Sequence, residues 1–196
     1  MTRLQSQISF LLEIDKLKNV IRVNPLVGAD RRENTAEHSW HLAMLALLLA
    51  EHANEPVDAC RVMQMVLIHD IVEIDAGDSY AYNPTALQTQ EAREHEAAQR
   101  IFGLLPPDQA AQMHALWDEF EARLTAESRF AAAIDRLMPL LHNYHTQGFT
   151  WKENSVTEAQ VQARMAPMRL GSETLWQYAE AIIASAVEKG YFPPVP

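Results

Sequence analysis

The sequence predicts an all-α fold, a bundle of seven to eight helices forming one domain over 1–196. Three observations carry that reading. Apolar residues recur at helical spacing along most of the chain. No segment alternates apolar and polar residues between hairpin turns. No internal repeat or shift of composition marks a linker, and a chain of 196 residues buries roughly 70% of its unfolded surface in one core.

Ile8, Leu11, Leu12, Leu17, Val20 and Ile21 set out a first amphipathic helix over about 6–22, ended by Asn24-Pro25. A charged loop follows, Ala29-Asp30-Arg31-Arg32-Glu33. Asn34 with Glu37 three residues on reads as a capping box, so a second helix starts there and runs to about Ala53. It is apolar almost all round from Leu42 to Ala50, which predicts a central position. Pro56 breaks the chain. Val57-Asp58 starts a third helix through Val62, Met65, Val66, Ile68 and Ile71 to about Ile74. A turn-rich loop from Asp75 to Pro84 leads to a fourth helix over about 86–104, whose polar run Gln88 to Arg100 reads as a solvated face. Pro106-Pro107-Asp108 opens a fifth helix with a stripe of Met113, Leu116, Trp117 and Phe120. A sixth, about 127–146, carries Pro139 inside it as an expected kink. Gly148 to Ser155 reads as loop. Helices over about 157–167 and 172–189 follow, the last closed by Lys189-Gly190. Leu175, Trp176, Tyr178, Ile182 and Ile183 give that last helix enough apolar bulk to complete the core or to face a second copy.

Composition excludes several functions. Sixteen Lys and Arg against twenty-six Asp and Glu leave a net charge of −10, so neither nucleic acid nor an anionic membrane is expected as a partner. No two glycines lie closer than Gly171 and Gly190, which rules out G-x-G-x-x-G and G-x-x-x-x-G-K-[ST] phosphate loops. The single cysteine, Cys60, excludes an intrachain disulfide and a C-x-x-C site, and reads as a small buried apolar residue. Leu42 to Ala50, the longest apolar run, falls far short of the ~20 residues of a membrane helix. Glu13 and Asp15 interrupt the N-terminal apolar stretch, so no signal peptide is read there. The expectation is a soluble cytoplasmic protein.

The informative segment is Leu67-Ile-His-Asp-Ile-Val-Glu-Ile74, where His69, Asp70 and Glu73 interrupt an apolar helix end. Buried carboxylates are normally paired or bound to a metal. On a helix, His69 and Glu73 share a face, as do Asp70 and Glu73. His69 and Asp70 diverge by about 100° and touch one ion only if it lies between them. Further candidate ligands are His38, at the start of the second helix, and Asp135, polar amid Ala131-Ala-Ala-Ile-Asp-Arg-Leu-Met138. Such a mixed N/O set suits Mn, Fe, Co, Ni or Zn. Taken singly, His38 also reads as a packing residue, Asp135 as an arginine partner and Glu73 as a solvated face. His41 shares the face of His38, as a partner to a ligand, an extra ligand or ordinary packing. His52, His95, His114, His142 and His145 have no usable spacing; His142 shares a face with Asp135 but two turns away.

The ordered set His38 … His69-Asp70 … Asp135 resembles the H…HD…D signature of the HD-domain metal-dependent phosphohydrolases, close to the branch of bacterial 5'-deoxynucleotidases. The matching stretches are Arg31-Arg-Glu-Asn-Thr-Ala-Glu-His-Ser-Trp40, Leu67-Ile-His-Asp-Ile-Val-Glu73, Gly77-Asp78 and the helix around Asp135. The resemblance implies an HD-domain helical bundle with one divalent ion (Mn2+, Co2+, Fe2+, Ni2+, Zn2+ or Mg2+) held by His38, His69, Asp70 and Asp135. It implies hydrolysis of a small phosphorylated substrate, a nucleoside 5'-monophosphate, with Glu73 and Asp78 orienting water or passing a proton. Asp78 also reads as a plain turn residue after Gly77. A phosphate monoester needs positive charge, for which Arg31, Arg32 and Arg22 are candidates, with Lys18 behind them. That branch carries an Arg-Trp pair before the first histidine, where this chain reads Arg22-Val23. Tyr80, Tyr82 and Asn83 are candidates to cover a base or sugar. The resemblance also implies a homodimer. The competing readings are an HD hydrolase acting on a cyclic or pyrophosphorylated nucleotide or a phosphonate, and a non-catalytic metal-binding regulatory protein.

Overall fold

Thr2 opens the chain with a capping box: its hydroxyl accepts from the Gln5 amide while the Gln5 side chain accepts from the Thr2 amide. Helix α1 follows over Arg3–Ile14 in the computed structural model, which describes residues 1–83 and 88–194. It tightens into a 3-10 turn over Asp15–Asn19 and gives way to strand β1, Ile21–Pro25. β1 pairs antiparallel with β2, Arg32–Asn34.

This ribbon corrects two expectations, a helix lasting to 22 and the absence of strands. Val20, Ile21 and Val23 are β-branched and Pro25 ends the run, so the segment suits a strand. Its register slips between Ile21 and Pro25 and its burial does not alternate cleanly, so no period of two shows in the sequence.

The Asn34–Glu37 capping box starts α2, Thr35–Leu49, at the expected place. Asp58 caps α3, Ala59–Ile68, by accepting from the Cys60 and Arg61 amides. The expected continuous helix to 74 is broken. After Ile68 the bonds become i→i−3, Ile71 N–H to Ile68 and Glu73 N–H to Asp70, before the short α4, Glu73–Ala76. There follow α5 (Gln90–Phe102), α6 (Pro107–Ala122) and α7 (Ala126–His145). Then come α8 (Phe149–Glu153), α9 (Glu158–Met165), a 3-10 turn (Ala166–Leu170) and α10 (Glu173–Glu188). α8 replaces the expected loop over 148–155. The expected start of the fourth helix at 86, Pro84 and the last two tail residues lie outside the described residues.

The central element is α7, whose 20 residues include Pro139 and bury Phe130, Ile134, Leu137 and Leu140. α2 is not central. Leu42 and Ala46 face the core, but Trp40, Met44, Leu47 and Leu48 face outward, Trp40 63% exposed. The stripe of α1 also points out: Phe10 is buried while Ile8, Leu11 and Leu12 are exposed. On α10, Leu175, Trp176, Ile182 and Ile183 join the core, leaving Tyr178 outside. Cys60 is exposed, because it lies on the outward face of the first turn of α3. Behind α8, Trp151 stacks on Phe192 at 4.6 Å with 9° between the rings. Among the described residues no helix is long and apolar enough to cross a membrane.

Gly77 ends α4 at φ 74°, ψ 152°, a region that only glycine enters without strain. That turn aims the chain so that Asp78 reaches the site below. Gly77→Ala is expected to cost about 1–3 kcal/mol of stability, read as a lowered thermal midpoint.

Candidate metal centre

Three elements bring the polar residues together. His38, in the first turn of α2, is wholly buried. His69 and Asp70 come from the turn after α3, and Asp135 from the middle of α7. His38 Nε2 lies 3.1 Å from Asp135 Oδ1 and 4.0 Å from Asp70 Oδ2. His69 Nε2 lies 3.1 Å from Asp70 Oδ1 and 3.7 Å from Asp135 Oδ1.

Each histidine is steered from its other nitrogen. His69 Nδ1 faces the Val66 carbonyl at 2.9 Å; donation there turns the ring so that Nε2 points at Asp70 and Asp135. That Nε2 is buried and has no hydrogen-bond partner among the described residues. Phe120 backs the ring at 4.8 Å, and Trp117 Nε1–H donates to the His69 carbonyl. His38 Nδ1 faces the buried Glu33 carboxylate at 3.4 Å.

Two imidazoles and two carboxylates at this spacing suit a divalent ion, and the unpartnered His69 Nε2 is the kind of buried atom that calls for a ligand. The local charge agrees. Burial alone would lower the His69 pKa, but Asp70 and Asp135 hold it well above its ordinary value. Burial would raise Asp70, yet His69 and Arg22 hold it down to about 2. Asp135 is likewise held well below the usual range, against burial, by His38 and His69. Both carboxylates are thus held in the charged form that a metal ligand needs.

Arg22, from β1, is largely buried. Its Nη1 donates to Asp70 Oδ2 at 2.7 Å and lies 4.0 Å from Glu73 Oε1. Thr35 Oγ1–H donates to Glu73 Oε2 at 2.9 Å. Burial, and next Asp70, push the Glu73 carboxyl well above its usual range; burial also raises Asp78. Arg22, His69, Asp70, Glu73, Asp78 and Asp135 line one cavity.

Arg31 and Arg32 do not line it. Arg31 is an exposed partner of Glu37, and Arg32 binds Glu153 and the Val23 carbonyl. Lys18 pairs with Asp15 on the surface. Tyr80 and Tyr82 do line the cavity, with their rings 5.4 Å apart; Asn83 does not. Sequence reasoning missed Glu33, hidden in a charged run, and the cavity arginines Arg123, Arg136 and Arg164. It also gave His142 no role, although His142 is buried near Glu33.

The HD domain family profile matches residues 14–176, and the chain belongs to that family. A crystal structure of a predicted metal-dependent phosphohydrolase from Magnetospirillum magnetotacticum MS-1 is 54% identical, with a TM-score of 0.94, covering 98% of this chain and 97% of that one. The 5'-deoxynucleotidase HDDC2 of Homo sapiens is 27% identical over 138 residues, 70% of this chain and 66% of its own length. A 5'-deoxynucleotidase of Enterobacter sp. (strain 638) is 32% identical over 124 residues, 59% of this chain and 62% of its own. The match thus spans just under two thirds of these two curated relatives.

Proposed function

We propose that this protein is a metal-dependent phosphohydrolase cleaving a nucleoside 5'-monophosphate to nucleoside and phosphate. It works in the cytoplasm as a homodimer, each copy one functional unit over 1–196. The observation that carries the reading is the convergence of His38, His69, Asp70 and Asp135, with Glu73 and Asp78 spare on the same cavity. A structural metal site is closed by its ligands and has no use for further acids. The names of the relatives support the substrate class.

When bound, the divalent ion supplies Lewis-acid charge to a phosphoryl oxygen and brings the pKa of a coordinated water toward ~7. Mn2+, Co2+, Fe2+, Ni2+ and Zn2+ suit the donor set, and Mg2+ is the poorest match to its two imidazoles. Arg22 supplies the fixed positive charge that a phosphate dianion needs, its guanidinium already turned toward the cavity acids. Glu73 and Asp78 between them orient the attacking water and return a proton to the departing 5'-oxygen. The Thr35 hydroxyl fixes the Glu73 carboxyl while they do so. Tyr80 and Tyr82 offer an aromatic wall to base or sugar.

A panel of nucleoside monophosphates with Mn2+ or Co2+ tests this. The expected result is phosphate release that stops on chelation and returns with the ion. Retained metal without hydrolysis of any phosphate ester would instead establish the non-catalytic reading. The homodimer rests on the outward apolar stripe of α2. Leu47→Glu with Leu48→Glu is expected to shift the light-scattering mass from dimer to monomer; an unshifted dimer mass places the contact elsewhere.

A further inference from the structure

A second group of donor atoms lies on the other side of His38. Glu33 comes from β2, His41 from the second turn of α2 and His142 from the last turns of α7. One ligand atom of each lies within 4.8 Å of the other two. Glu33 and His142 are 1% and 3% exposed. Glu33 Oε2 stands 3.9 Å from His142 Nδ1, and neither atom has a hydrogen-bond partner among the described residues. The His41 and His142 rings are 6.5 Å apart, tilted by 54°.

A buried polar atom left unsatisfied costs roughly 1–3 kcal/mol, so two facing each other call for something between them. We propose that Glu33, His41 and His142 form a second divalent-cation site, separate from the centre at His38, His69, Asp70 and Asp135. Two imidazole nitrogens and one carboxylate oxygen favour a transition ion such as Zn2+, Co2+ or Ni2+ over Mg2+ or Ca2+. Three protein ligands leave room for solvent, and the half-exposed His41 gives the ion a way in.

Two neighbours set the strength of this site. Arg22 Nε lies 3.8 Å from the same Glu33 oxygen, and its positive charge opposes a cation there. Its Nη1 is held on Asp70 at 2.7 Å, so the guanidinium does not neutralise Glu33 fully. The same oxygen is 3.4 Å from His38 Nδ1, so an ion on Glu33 would draw on the carboxylate that steers a ligand of the first centre. The second site is therefore the weaker of the two, and its occupancy bears on the first.

Equilibrium dialysis against Zn2+ and against Co2+, followed by elemental analysis of the whole protein, tests the proposal without reference to activity. Wild-type protein is expected to bind two equivalents with separable affinities. His41→Ala and His142→Leu are each expected to weaken the looser equivalent beyond the ~10–100-fold that losing an outer partner costs, while keeping the tighter one. His41 is half-exposed, so His41→Ala remains informative if His142→Leu fails to fold. Asp135→Ala is expected to lose the tighter equivalent and keep the other. A wild type binding one equivalent, lost in Asp135→Ala, overturns the second site and leaves the first intact. A looser equivalent that survives both histidine substitutions also overturns it.

Discussion

Asp70→Ala is expected to remove the divalent ion and the phosphatase activity together. The carboxylate lies 3.1 Å from one imidazole and 4.0 Å from the other, so its loss cuts the donor set from four to three. A metal's Lewis-acid contribution amounts to several kcal/mol, and ~4 kcal/mol already corresponds to roughly a 10³-fold loss of rate. Elemental analysis and a nucleoside monophosphate assay on the same sample read both quantities. The substitution also strips Arg22 of its closest acceptor, so circular dichroism must show a folded chain. Asp135→Ala reports the same loss without touching that arginine. Full ion content in both variants would move the ligand set elsewhere.

Glu73→Gln is expected to keep the ion and lose turnover, by about 10²–10⁴-fold in kcat, the usual contribution of a positioned acid or base. Glutamine keeps the shape of the side chain and an oxygen for the Thr35 hydroxyl, and it can no longer take up or release a proton. Metal analysis beside steady-state kinetics separates the two readings. If the ion leaves with the carboxylate, Glu73 is a ligand and the proton falls to Asp78.

The helices with strong local signals are legible: the capping box of α2, Pro107 at the start of α6 and the stop of α10 before Lys189-Gly190 all lie where the residues demand. The ribbon was not, because a strand of three to five residues with an irregular register leaves no alternation to read. Its consequence reaches the site. Arg31, Arg32 and Glu33 form one charged run in the sequence, but pairing with β1 turns Arg32 out to Glu153 and Glu33 in beneath His38. The same pairing brings Arg22, not Arg31 or Arg32, to the cavity acids. His69, Asp70, Glu73 and Asp135 stood out as polar residues in apolar stretches, and the structure gathers them with His38. The switch to i→i−3 bonds after Ile68 ends the regular helix that a shared face of His69, Asp70 and Glu73 requires. Glu33 and His142 stayed hidden because their partners come from other elements.

The stack of Trp151 on Phe192 ties the wall of the cavity to the segment after α10. Trp151 belongs to the cavity wall, and its indole rests on a ring just past α10. Phe192→Ala is therefore expected to loosen that wall while every donor atom of the centre stays in place.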